Sequence, residues 1–487
     1  MKLDSQQPCE CCLSRREFIC AAGASMALLS TGQAGFASAG AKRTIRVAFL
    51  RPDVDRYFMG WPGAAYDIKA HQAQYTKILT EAAARLNVNL DIEPGPIAAE
   101  KAALAFAERV KASPQDGVMM VLLSLNEVWA PLSRFIQERG ETPVFIFSPL
   151  GTSFLVQIQP FMKLSNARRM FLASTPDLEW LAIGLRMLRT VSDMRDTRIC
   201  VVQGRAAQDV VLEATGATLH YVPFQRLEEE YVKVEATKEV QRIASQYEKQ
   251  ARKIVEPKRN DIVEAAKHVL VCRRIMEAEG CQGIAVDCLP HVQSKRVPPP
   301  CLAFSHLNDS GTPAACQADW PAAISLRLAY LLVERPGFMQ NICVNTADNT
   351  LMGSHCTSPT RLAGPGAPAA PYILRTHAES DLGVSTQVLW PVEQPITVMK
   401  FSDPAWGKMP GGMKPDASSI VLGSGRVTRN LDTPPSGGCR TAVEVKLDGV
   451  DDVRKLTALH HQLFILGNHV NKFRAYSELA GIKALPL

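Results

Sequence analysis

No long basic run occurs in this chain of 487 residues, and aromatic and basic residues are not interleaved. That excludes a nucleic-acid surface. The net charge of +6 is small for the length. The apolar stretch Ile19 to Leu29 is too short to cross a bilayer as a mature helix. Of the 13 cysteines, Cys9, Cys11, Cys12 and Cys20 lie near the start, and the remaining nine contain no C-x-x-C pair. An odd count in apolar contexts such as "RICVV" and "VDCLP" speaks against a disulfide framework and for buried free thiols. There is no internal repeat beyond a loose similarity of two α/β units. Nor is there a phosphate cradle, because the glycines of "GSGRV" and "SGGCR" are not followed by a helix.

What is present is an ordinary globular balance, 46% hydrophobic and 21% charged. The length is enough for about two to four domains with real cores. Residues 1–40 read differently from the rest. Arg15 and Arg16 precede the apolar stretch, and Ala37 and Ala39 in "FASAGA" frame a small-residue cleavage site. This order resembles a twin-arginine export signal, which implies passage to the periplasm in a folded state and no stable membrane insertion after the signal is removed. Folding in the reducing cytoplasm before export agrees with free thiols.

From 43 to 163 the chain alternates apolar strands ("TIRVAFL", "GVMMVLLS", "PVFIFSP") with helical spacing. Strands that are apolar throughout and separated by helices predict a parallel sheet covered on both faces. A second α/β domain is expected over 164–358, with a long charged helix at 226–256 and a buried strand in "CQGIAVDCLP". After Pro359 the texture changes to short alternating strands separated by turns. These predict an antiparallel, barrel-like β domain over 359–487, closed by a helical tail at 456–481. The expected class is therefore α/β, two Rossmann-like parallel-sheet units followed by a C-terminal antiparallel β-barrel-like domain.

The stretches with chemical content lie between Cys301 and Arg361 and near the C-terminus: "ACQADWPAAISLRLAYLL", "FMQN", "GSHCTSPTR" and "LHHQLFILGNH". Together with the domain order they resemble the L-fucose and L-arabinose isomerase family. In that family an E-x-D pattern opens a helix, a second carboxylate follows, and two histidines complete a divalent-metal site, usually manganese. The metal bridges the sugar oxygens at C1 and C2 while acidic residues move a proton between those carbons. Carried over, the first Glu falls on Gln317, the second carboxylate on Gln340, the first His on His355, and the second on His460 or His461, with His469 as a rival. Asp319 keeps the family's Asp. The resemblance further implies a homo-oligomer, a trimer or hexamer, and a small-molecule sugar as partner.

Both carboxylates are thus amides here. Glutamine cannot carry a proton, and losing two anionic oxygens weakens a hard-cation site. The surviving imidazoles suit zinc better than manganese. An amide pair also suits hydrogen bonding to sugar hydroxyls. Two functions follow from the resemblance: an isomerase-like enzyme (an aldose–ketose intramolecular oxidoreductase) acting through a rebuilt metal site, or a non-catalytic carbohydrate-binding protein derived from one. Further candidates are His377 and Glu379 in "RTHAESD", two apart on an expected strand, which could bind substrate or metal or else face water. Asp287, at the carboxyl end of a buried strand, stands where open α/β sheets bind ligands. Asp309, near His306, reads as a turn residue. One outcome follows directly. The exported protein should lack residues 1–39, so its intact mass excludes Arg15 and Arg16; a mature chain that keeps them overturns the export reading.

Overall fold

The computed structural model describes residues 42–54, 56–58, 65–407, 415–432, 439–456 and 461–487. The expected export segment and His460 lie outside these residues. The first sheet is built from β1 (Arg43–Leu50), β2 (Val88–Ile92), β3 (Gly117–Leu122), β4 (Val144–Ser148) and β5 (Met170–Ser174), all parallel in the order β2-β1-β3-β4-β5. Alternate residues serve two separate cores. Val47, Phe49, Met119, Val121, Phe145 and Phe147 pack on one face, under the helices Ile68–Leu86 and Glu179–Arg195. Ala48, Leu50, Val118, Met120, Val144 and Ile146 pack on the other, under the helices Glu100–Ala112 and Trp129–Glu138. Burial on both faces is why these strands read as unbroken apolar runs.

The second sheet has β6 (Arg198–Val202), β7 (Gln208–Val211), β8 (Thr218–Val222), β10 (Gly283–Val286) and β11 (Ala314–Cys316) in the order β11-β10-β6-β8-β7, with β7 antiparallel at the edge. The two-residue β9 (Lys253–Ile254) instead joins β14 (Tyr372–Arg375) and β15 (Ser385–Val388) in a small separate sheet. The expected single helix over 226–256 is two, Arg226–Tyr231 and Lys238–Gln250. Thr237 starts the second by accepting a bond from the Val240 amide at 3.3 Å, and a side-chain cap there favours a fresh helix start over continuation.

The third sheet closes on itself. It comprises β12 (Phe338–Asn345), β13 (Thr350–His355), β16 (Pro395–Ser402), β17 (Ser419–Asn430), β18 (Thr441–Leu447) and β19 (Gln462–Leu466) in the order β16-β19-β12-β13-β18-β17, with β17 returning to β16. The result is a six-stranded antiparallel barrel, and β20 (Lys483–Pro486) lies parallel along β17. Two expectations need correction. "FMQN" and "GSHC" were placed in the second α/β domain, but β12 and β13 are barrel strands, so the barrel begins near Phe338 and not at 359. The helical tail is mixed: "QLFIL" is strand β19, and among the described residues of that stretch only Val470–Ala480 is helical. A short run that is apolar throughout does not distinguish strand from helix; here pairing of β19 with β12 and β16 decided it.

One helix joins the units. Trp320–Val333 is apolar around most of its circumference, and all but four of its 14 residues are buried, which is the pattern of an internal helix. It packs on β10, β11, β16 and β19 and on the helix Glu179–Arg195. Ser325 accepts a bond from the Phe401 amide of β16 at 2.8 Å, so the barrel is held to it by polar as well as apolar contact.

Candidate functional site

The helix Trp320–Val333 starts three residues beyond Gln317. Strand β11 ends at Cys316, and Gln317 and Ala318 then turn the chain with φ of 56° and 50°. Two consecutive non-glycine residues in the left-handed region cost about 1–2 kcal/mol each. The turn is held by the Ala318 amide, which donates to Val286 O at 2.9 Å. Asp319 then caps the helix, accepting from the Ala322 amide at 2.7 Å.

The Asp319 carboxylate is buried and does two more things. Lys400 on β16 donates to both of its oxygens, each at 2.8 Å. His461 Nδ1 donates to Oδ2 at 2.9 Å. Burial alone would raise this carboxyl, but the Lys400 charge and the His461 bond outweigh it and hold it well below its ordinary range. Burial pulls Lys400 down against the pull of Asp319. His461 stands in edge contact with His355, ring centroids 5.1 Å apart. Burial, with His461 beside it, pushes His355 down to about 3, so it is a neutral imidazole at physiological pH. Its Nδ1 lies 3.1 Å from Thr357 Oγ1, while its Nε2 has no hydrogen-bond partner among the described residues.

Gln340 completes the group. The β12–β13 register pairs Asn341 with Ser354, and one step further sets Gln340 opposite His355. Directly opposed residues share a face. Gly353 lies on that face too. A Cβ there would sit 2.6 Å from the Gln340 amide, so the missing side chain is the space the amide occupies. Gln340 is fully buried, and among the described residues neither its Oε1 nor its Nε2 meets a partner. An unpaired buried amide costs roughly 1–3 kcal/mol. One helix N-terminus, the barrel strands β12, β13 and β16, and the residue just before β19 therefore bring Asp319, Gln340, His355, Lys400 and His461 to one end of the barrel.

The other candidates divide. Gln317 is half-buried beside Asp319 on the turn. Asp287 directly follows the last residue of β10, at the strand's carboxyl end next to that turn. His377 and Glu379 are not on a strand. β14 stops at Arg375, and the Asp381 amide closes a turn onto His377 O at 3.0 Å, so they do not share a strand face. His377 is still near enough for its charge to weigh on His355 and Cys356, and Glu379 acts in the same way on Cys439. His469 is engaged elsewhere, its Nε2 3.0 Å from Leu466 O. Asp309 is not a turn residue. It ends the helix Cys301–Asp309 and accepts from the Thr360 amide and hydroxyl and the Arg361 amide at 2.6–2.7 Å. Lys400 was missed. Its signal was a lone lysine inside the apolar strand "ITVMKF", a residue that is buried only when paired.

These residues do not fit the divalent metal that the resemblance implies. Amides stand at both carboxylate positions, and the one carboxylate at the site is already neutralised by an ammonium at bonding distance. Among the described residues no group of three or more His, Cys, Asp or Glu side chains is arranged to hold a metal ion.

No family model matches the chain, and no curated protein matches it. Among solved structures, part of the chain is similar to an ABC transporter solute binding protein from Agrobacterium vitis with bound allitol. The identity is 13%, over 52% of this chain and 78% of that one, with a TM-score of 0.17. A likeness at that level carries no argument. No helix among the described residues is long and apolar enough to cross a membrane.

Two outcomes follow from the site. Lys400→Met leaves the Asp319 carboxylate buried without its counter-charge and should destabilise the protein by about 3–5 kcal/mol in urea denaturation, whereas Lys400→Met with Asp319→Asn should recover part of that loss. The second concerns pH. Burial pushes His268, His306 and His355 each down to about 3 from an ordinary 6.5. Each takes up a proton on unfolding inside that window, so its contribution is whole above the window and is lost as pH falls through it. Burial raises Asp309 to about 6 from 3.8, which has the opposite sign: its contribution is lost as pH rises towards 6. Near pH 5 the three imidazoles outweigh the one carboxyl. From these groups, which together take up about two protons on unfolding, the unfolding free energy should fall by roughly 3 kcal/mol per unit of acidification there, as read from denaturation curves between pH 6 and 4.5.

Proposed function

We propose that the chain binds a monosaccharide or small sugar derivative at the end of its barrel through neutral hydrogen-bonding groups, on an isomerase-like architecture without a catalytic metal. The observation that carries this reading is Gln340. Its amide, two donors and an acceptor, is buried without a partner among the described residues, opposite His355, whose Nε2 likewise has none among them, and vicinal hydroxyls offer the matching donors and acceptors. The Lys400–Asp319 pair supplies a fixed ion pair with no net charge where the isomerases that the sequence resembles use a cation. Aldose–ketose interconversion through a metal-bridged enediol is not part of this reading, because neither Gln317 nor Gln340 can carry a proton.

A second reading rests on the bond between His461 and Asp319. A carboxylate that fixes the tautomer of an imidazole is the arrangement of a general base, and this favours metal-independent proton transfer on the bound sugar. In either reading the protein is exported to the periplasm. It also self-associates, supported by the exposed apolar side chains of Leu150, Phe154, Leu155, Val156 and Met162, which cluster in one short stretch.

Calorimetric titration of chelator-treated protein with an aldose and polyol panel that includes L-fucose and L-arabinose is the test. Binding should occur without added metal. Gln340→Met should weaken it by about tenfold or more while stabilising the free protein by about 1 kcal/mol, since it removes an unpaired amide. Binding that requires manganese, or that is unchanged in Gln340→Met, overturns the proposal. Deuterium uptake from D2O at the carbon beside the sugar carbonyl separates the readings: uptake lost in His461→Gln favours the enzyme, and binding without exchange favours the binding protein.

A further inference from the structure

The loops that carry Asp287 and Gln317 leave neighbouring parallel strands. β10 and β11 pair with Val286 opposite Cys316. Cys316 is the last residue of β11, and Cys288 follows Asp287 at the start of the short helix Leu289–Ser294. Both side chains are buried, and their Sγ atoms are 2.8 Å apart across 28 residues of chain. That is closer than the roughly 3.5–4.0 Å at which unbonded heavy atoms rest, and beyond the roughly 2.05 Å of a disulfide. Backbone bonds already hold the two loops in place. The Asp287 amide donates to Val202 O at 3.0 Å, the Ala318 amide to Val286 O at 2.9 Å, and the Cys316 amide to Met339 Sδ at 3.3 Å. Two sulfurs pressed together on a fixed frame need to move less than 1 Å to bond.

We propose that Cys288 and Cys316 are a disulfide-forming pair that ties the Asp287 loop covalently to the Gln317 turn. The pair gives up two electrons and two protons. With a small peroxide as the oxidant, one thiol is converted to a sulfenic acid with release of water. The other thiol then displaces the sulfenic oxygen as a second water, and the sulfur–sulfur bond forms. A peroxide suits a pair that is 4% and 5% exposed, which a bulky disulfide donor reaches poorly. The bond would restrain the left-handed turn at Gln317 and Ala318, which otherwise depends on hydrogen bonds alone. The inference does not depend on sugar binding.

The test is thiol counting on the whole protein with and without brief treatment with dilute hydrogen peroxide. After denaturation without reductant, the treated wild type should take up two fewer alkyl groups than after reduction. Peptide mapping should find a 288–316 link, with linked peptides about 2 Da lighter than the sum of the two thiol forms. Cys288→Ala and Cys316→Ala should each abolish the difference. The treated wild type should also lose several degrees of melting temperature when reductant is added, and the double alanine variant should not respond. Equal alkyl uptake with and without reduction, a link between other cysteines, or uptake that reductant does not restore would each overturn the pairing. The single and double variants replace small buried side chains, and circular dichroism confirms that they fold before the counts are compared.

Discussion

The carboxylate of Asp319 is the constraint on which the centre of this molecule depends. It caps the helix Trp320–Val333, which belongs to the second α/β unit, and in the same plane of contact it holds Lys400 and His461 of the barrel. A charge that is fully buried is tolerated only if it is paired and hydrogen-bonded. All three partners are therefore required, and they come from parts of the chain up to 142 residues apart. The helix, the barrel and the two histidines are positioned relative to one another by this one group.

The same group explains why the end of the barrel is polar yet nearly without net charge. Asp319 and Lys400 cancel. His355 is kept neutral by burial and by the neighbouring imidazole, and Gln340 has no charge to lose. A site of this kind recognises by hydrogen-bond direction and shape. It differs from the metal-centred isomerase site in the kind of chemistry as well as in strength, because a neutral site offers neither a Lewis acid nor an anionic base. Backbone strain is present at the same place: Gln317, Ala318 and His461 all have positive φ. Backbone strain persists where the surroundings over-determine it, and functional sites are where it collects.

How much could be read beforehand differs residue by residue. The parallel sheets were legible because strands buried on both faces leave continuous apolar runs, as in "GVMMVLLS". The barrel was legible from period-two alternation and turn residues. His355, His461, Asp319 and Gln340 were singled out on a family resemblance, and the structure brings these four together with Lys400. Lys400 escaped attention because a lone lysine in a strand looks like an edge residue until its partner is known. His377 and Glu379 were put on a strand because their spacing fitted one, but the strand ended at Arg375 where the chain turned. "QLFIL" read as helix because an apolar run of five carries no period of its own.

The sequence by itself determined that parallel α/β units come first and an antiparallel β unit last, and that amides stand at 317 and 340. All of these depend on local composition and on the identity of single residues. Only the tertiary structure decided which strands close the barrel, that Asp319 is neutralised by Lys400, and that the Gln340 amide lies unpaired in the gap left by Gly353. Those outcomes depend on pairing between residues far apart in the chain. Whether a buried charge or amide finds a partner is a property of the packed interior, set by what other segments bring to it, and no local pattern encodes it.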